Sequence, residues 1–107
     1  MAKKAKPDPF RDEVAELLAE LPGFRCRAMF GGHGLYAGDT FFGILYRGRV
    51  YFRVSDATRP RYEAAGSGPF RPTRKQTMGR YYEVPPEVQA DPDEFLAWAR
   101  EAVAAAG

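Results

Sequence analysis

Cys26 and His33 are the residues of this chain with the chemistry for nucleophilic catalysis, and it holds one of each. A thiolate beside an imidazole base is the minimum of a thiol enzyme. The two flank one expected strand turn. Phe24, Cys26 and Ala28 alternate with Arg25, Arg27 and Met29, which puts the thiol on the apolar side of its strand. Burial there raises a thiol pKa and makes it inert. No third, orienting group accompanies the pair. His33 stands between glycines and reads as a turn residue with a solvated ring.

Other catalytic patterns fail on residue count or spacing. One histidine excludes a two-histidine metal site and an HExxH motif. One cysteine excludes an internal disulfide and a cysteine-based metal site. Gly31-Gly32-His33-Gly34 lacks the GxGxxG spacing and the P-loop Lys-Ser/Thr, and a strand follows it where a phosphate cradle needs a helix. Asp91, Asp93 and Glu94 are too few for a calcium loop and suit a helix start. The expectation is a protein that is not an enzyme, with no cofactor and no metal.

Surface chemistry is concentrated elsewhere. Arg25 and Arg27 on one expected strand, and Arg49, Tyr51 and Arg53 on another, share the parity of the solvent side. Guanidinium groups interleaved with an aromatic ring can bind phosphates and stack on bases, and arginine with tyrosine also anchors protein interfaces. The stretch Arg47–Val54 has the look of an RNA-recognition strand but lacks its Gly-Phe-Gly/Ala-Phe core. The plainer alternative is an exposed sheet face whose arginines bond Glu63, Glu83 or the acidic helices.

The elements that must position these residues follow from periodicity. Asp8 is placed to cap a first helix with Pro9 at its first position, and Phe10, Val14, Leu17, Leu18 and Leu21 form its apolar stripe. Pro22-Gly23 ends it. From Phe24 the period is two, with strands at 24–29, 35–37, 41–46 and 49–54 joined by turns at Gly31–Gly34, Gly38-Asp39 and Arg47-Gly48. Ser55 or Asp56 caps a second helix reaching about Ala65, and Gly66 stops it. Phe70–Thr73 and Arg80–Val84 read as a hairpin with its tip at Lys75-Gln76, because fifteen structureless residues suit a small domain poorly. Asp91-Pro92 or Asp93 opens a last helix with Phe95, Leu96, Ala99, Ala102 and Val103 as its buried stripe. The expected fold is α+β in two layers: an antiparallel sheet of five to six strands with the helices mainly on one face, in the order α-β-β-β-β-α-β-β-α.

At 107 residues the chain makes one domain, 1–107. Apolar residues at 45% and charged residues at 28% exclude a wholly disordered chain. No apolar run approaches the roughly 18 residues of a membrane span. Residues 1–7 read as a flexible basic tail without the apolar stretch of a secretory signal, so the expected compartment is the cytoplasm. The net charge is +2, yet residues 21–82 carry +8 between ends of −1 and −5. Acidic terminal helices packed on a basic sheet account for this, and so does a basic face that meets an acidic partner. Exposed sheet edges leave room for a homodimer.

Arg27-Ala-Met-Phe-Gly-Gly-His-Gly-Leu-Tyr36 resembles the RxMFGGxGLY signature of the TfoX (Sxy) N-terminal domain family. Its matching residues are Met29, Phe30, Gly31, Gly32, Gly34, Leu35 and Tyr36. Phe41–Leu45, Arg49–Val54 and Ala65-Gly66 follow in the family's order. Met78–Pro85, with Tyr81, Tyr82, Glu83 and Pro85, is similar to the MxYYEVP segment, and Trp98-Ala-Arg100 to the closing helix. The resemblance covers about residues 10–105. It implies a secretion-chaperone-like two-layer domain and a link to regulators of bacterial DNA-uptake competence. Those act as co-activators beside a cyclic-AMP-receptor-type transcription factor, and the family supplies no catalytic residues. Its full-length regulators carry a second, helical domain, so the resemblance implies a stand-alone N-terminal domain. The functional expectation is a regulatory or adaptor domain with a protein partner. Direct nucleic-acid binding through the basic-aromatic face is the alternative, and a structural role is expected for the motif glycines, in tight reversal and close backbone approach.

Overall fold

The apolar stripe that opens the chain forms helix α1, Pro9–Leu17, and continues through a non-helical turn, so that Val14, Leu18 and Leu21 are all buried. The computed structural model describes residues 9–29 and 31–107; the expected cap Asp8, the tail 1–7 and Phe30 lie outside them. Four strands follow: β1 Phe24–Met29, β2 Gly32–Ala37, β3 Thr40–Tyr46 and β4 Arg49–Arg53. Helix α2 is Arg59–Ala64, the hairpin is β5 Pro69–Thr73 with β6 Gln76–Glu83, and helices α3 Pro86–Gln89 and α4 Pro92–Ala106 close the chain.

The six strands make one antiparallel sheet in the order β1-β2-β3-β4-β6-β5. Short links force each early strand against its predecessor. Tyr46 pairs with Arg49 across a two-residue turn, where Arg47 and Gly48 both have positive φ, 50° and 77°. That is the backbone a right-twisted hairpin favours. Between Leu35↔Gly43 and Tyr36↔Phe41 the register skips Phe42. The skip re-aims β3, so Phe42 packs in the main core while Phe41 joins the smaller cluster across the sheet. The outer strands are β1 and β5, and Pro69 and Pro72 both lie on β5.

The α+β class and the element order match the sequence reading, with four helices among the described residues in place of three. The short helix α3 has no periodic stripe to reveal it; it follows Pro85, with Pro86 at its first position, and buries only Val88. The reversal expected at Gly31–Gly34 is tighter than that: Met29 pairs with Gly32, and His33 and Gly34 are strand residues opposite Ala28 and Arg27. The tip of the second hairpin lies one residue earlier than expected, at Arg74-Lys75, since Thr73 pairs with Gln76. Ser55 and Thr58 hold a turn through reciprocal hydrogen bonds, each hydroxyl accepting from the other's backbone N–H, and α2 begins only after it. At α4, Asp91 Oδ1 accepts from the N–H groups of Asp93 and Glu94, with Pro92 first in the helix, as the sequence indicates.

The main core lies between the helices and one face of the sheet. Val14, Leu18 and Leu21 meet Leu35, Phe42, Val50, Phe52 and Val54, with Tyr62, Phe95, Trp98, Ala99 and Ala102 above them. Trp98 belongs to this core although the expected stripe omits it, while Leu96 and Val103 pack at its margin. No helix of the described residues is long and apolar enough to cross a membrane.

Candidate functional site

Strand alternation sends every second side chain away from the helices, and those residues define a helix-free face. From β1 it receives Arg25, Arg27 and Met29, and from β2 Tyr36. It continues with Phe41, Ile44 and Tyr46 of β3, and with Arg49, Tyr51 and Arg53 of β4. Tyr81 and Glu83 of β6 and Phe70 of β5 complete it. Ile44, Phe70 and Tyr81 are buried there with Phe41, Tyr46, Tyr51 and Met78 packed against them, a second apolar cluster with no helix of the described residues over it. Its rings touch in sequence: Tyr36 with Phe41 at 5.2 Å between centroids, Phe41 with Tyr81 at 5.4 Å, Tyr51 with Phe70 at 4.7 Å and Tyr46 with Phe70 at 5.3 Å. Such pairs add specific attraction to the burial of area.

β1 and β5 are opposite edges of the sheet, yet Met29 lines one cavity of about 390 Å³ together with Tyr46, Pro72, Thr73, Gln76 and Met78. The sheet therefore curves, with the aromatic face on its inner side.

The five residues singled out from the sequence share this face but do not converge. Strands β2 and β3 separate the arginines of β1 from those of β4. Arg25 donates to the Gly38 carbonyl at 3.0 Å and approaches Asp39 at 3.5 Å. Arg49 donates to both carboxylate oxygens of Glu83, at 3.0 and 3.1 Å. Arg27 lies over the Tyr36 ring at 5.7 Å and Arg53 over Tyr81 at 5.8 Å. Tyr51 is half-buried, and burial, followed by the charge of Glu83, raises its phenol pKa above the ordinary value. Phe41, Tyr46, Phe70 and Met78 were missed as face residues. The signal was available in β3, whose apolar residues fall on both parities, as they must when both faces of a strand are covered.

The motif residues divide by role. Gly32 and Gly34 answer to crowding: a Cβ on Gly32 would lie 2.1 Å from the Leu45 carbonyl oxygen, and one on Gly34 2.9 Å from the Met29 sulfur and 3.0 Å from the Phe41 ring. Gly31 has φ +80° and makes the turn. Leu35 and Tyr82 face the main core, Tyr82 donating its hydroxyl to Glu63 at 3.2 Å. Pro85 is buried at the entry to α3.

The thiol and the imidazole do not share a cavity. His33 lines an open groove of about 650 Å³ with Phe10, Ala28, Gly31 and Tyr46, and Cys26, half-buried against the main core, is not among the lining residues. His33 sits within β2, opposite Ala28, where the sequence reading placed it in a turn. Among the described residues no group of three or more His, Cys, Asp or Glu is placed to hold a metal ion.

Residues 16–106 match the family model of the TfoX N-terminal domain. The chain is also 27% identical over 103 residues to the DNA transformation protein TfoX1 of Aliivibrio fischeri, an alignment that covers 94% of this chain and 49% of that protein. The chain spans about half the length of the curated relative it matches.

Proposed function

The chain belongs to the TfoX N-terminal domain family, and on that premise we propose that it is a non-enzymatic regulatory or adaptor domain acting by protein–protein contact, with a transcription regulator as its partner. A cyclic-AMP-receptor-type factor is the candidate that family resemblance supplies, and the cytoplasm is the compartment the reading requires. One observation carries the reading: the helix-free face is tiled with part-exposed Tyr36, Phe41, Tyr46 and Tyr51, flanked by Arg27 and Arg53 lying on rings. Aromatic and arginine side chains on a preformed surface are the anchors that dominate protein interfaces. The same face suits nucleic acid less well. Arg25 and Arg49 are already engaged, and the rings pack on one another where base stacking needs them splayed.

The test is quantitative binding to purified transcription regulators of the cyclic-AMP-receptor type. The wild-type chain is expected to bind, and a Tyr46→Ala, Arg27→Ala variant to bind at least tenfold more weakly while melting cooperatively. Equal affinity of the variant would remove the face from the reading, and no binding by the wild type would remove this partner class.

A further inference from the structure

We propose that the β5–β6 hairpin is a phosphate-binding arm that lies along duplex DNA. This stands apart from the protein-contact reading, since it uses different residues on a different surface. Between Glu63 and Glu83 the chain holds Arg71, Arg74, Lys75 and Arg80 and no acidic residue. All four are exposed, and among the described residues none has a carboxylate within ion-pair distance. Of the arginines elsewhere, Arg25, Arg49, Arg59, Arg61 and Arg100 each pair with a carboxylate, and Arg27, Arg47 and Arg53 lie over tyrosine rings. The hairpin is therefore a concentration of positive charge that no carboxylate among the described residues neutralises.

Its shape matches its charge. Phe70 and Met78 turn inward onto the aromatic cluster, so alternation sends Arg71 outward. Arg74 and Lys75 form the tip, where the Lys75 N–H donates to Thr73 Oγ1 at 3.3 Å. At the base, Arg80 shares a cavity of about 290 Å³ with Arg53 and Arg59, and Asp56, the acid lining it, is held by Arg59. The cations thus run from the base of the hairpin to its tip, roughly 17 Å for the five steps from Lys75 to Arg80. A two-stranded ribbon fits the major groove, which is about 12 Å wide, and duplex DNA presents a phosphate about every 3.4 Å along each strand.

Composition favours DNA over an acidic protein. Apart from Gln76, which lines the inner cavity, the exposed positions of β6 hold Thr77, Gly79 and Arg80, while Phe70 and Met78 pack on the aromatic cluster. A protein interface needs a desolvated apolar or aromatic anchor at its centre, whereas phosphate contacts need only donors and charge.

Fluorescence anisotropy of a labelled random-sequence 20-base-pair duplex, titrated with the full chain between 25 and 200 mM salt, tests this. The wild type is expected to bind, with a slope of log affinity against log salt of about −3 to −4 for four phosphate contacts. Arg74→Gln with Lys75→Gln should make the slope shallower by about 2 and weaken binding roughly 10- to 100-fold at 50 mM salt. Arg71→Gln with Arg80→Gln should act similarly, and Arg100→Gln, whose guanidinium pairs with Glu20, should change affinity less than twofold. No binding at 25 mM salt would overturn the proposal, as would undiminished binding by both double variants. Displacement of the duplex by polyglutamate at equal charge concentration would overturn it in favour of an acidic protein.

Discussion

The guanidinium carbon of Arg61 lies 4.0 Å from the centre of the Trp98 ring, and its NH2 group pairs with Glu101 one turn further along the same helix. One side chain thus fastens the short α2 to α4, beside the Tyr62–Trp98 ring contact at 4.7 Å.

Arg61→Ala is expected to lower stability by about 1–2 kcal/mol, through loss of the cation–ring contact and of the stem that covers the rings. Arg61→Lys should recover only part of this, because an ammonium lacks the flat face that stacks. Urea unfolding followed by the fluorescence of Trp98, the single tryptophan, reads both directly. An unchanged midpoint for the alanine variant would leave Tyr62 as the sole fastening.

Gly32→Ala drives a methyl group toward the Leu45 carbonyl, with 2.1 Å between them. Backbone cannot yield as a side-chain tip can, so the expected loss is about 3 kcal/mol or more. Gly79→Ala meets open space and should shift stability by less than about 1 kcal/mol. Thermal melts of the two variants separate crowding from a general intolerance of substituted glycines.

Tyr62 is 1% exposed, and burial raises its phenol pKa far above the usual value, against an opposing pull from Arg61. Unfolded chains lose this proton near pH 10 and the folded protein only at higher pH. Its contribution is therefore complete below pH 10 and is lost as the pH climbs beyond it, with a slope of up to about 1.4 kcal/mol per pH unit. Tyr62→Phe should flatten that part of the stability–pH curve between pH 10 and 12. A curve of unchanged slope would show that this phenol ionises equally in both states.

Arg47 carries φ 50° without being glycine, and its guanidinium lies over the Tyr46 ring at 5.2 Å. The left-handed backbone opposes a Cβ more than an exposed ring contact repays. Arg47→Asn, a residue that tolerates this conformation, is expected to raise stability by about 0.5 kcal/mol, measurable as a higher melting temperature. A lower melting temperature would mean that the ring contact outweighs the strain.

The order of helices and strands was readable because its signals are local: a stripe at Phe10–Leu21, alternation at Arg49–Val54, an Asp-Pro start at Asp91. Chemistry at a distance was legible only in part. The sequence offers Glu83 as an acceptor for the face arginines, and Arg49 does bond it, but the choice of Arg49 depends on β6 lying beside β4, which no short window contains. The apolar residues of β3 on both parities signalled a second cluster, but its closing contact was hidden, since Phe70 of β5 and Tyr46 of β3 meet only once the sheet curves. His33 was misplaced because glycines around it suggested a reversal, whereas Gly32 and Gly34 serve the crowding of β2 against β3.

The two borders of the sheet are unequal. A strand arriving at β5 meets Pro69 and Pro72, which have no amide hydrogen to offer, while β1 is free of proline along its whole length. Lateral growth of this sheet is therefore favoured at β1 over β5. If the newcomer at β1 were a second copy joined strand to strand, each molecule would have consumed the other's open border, and assembly would halt at two.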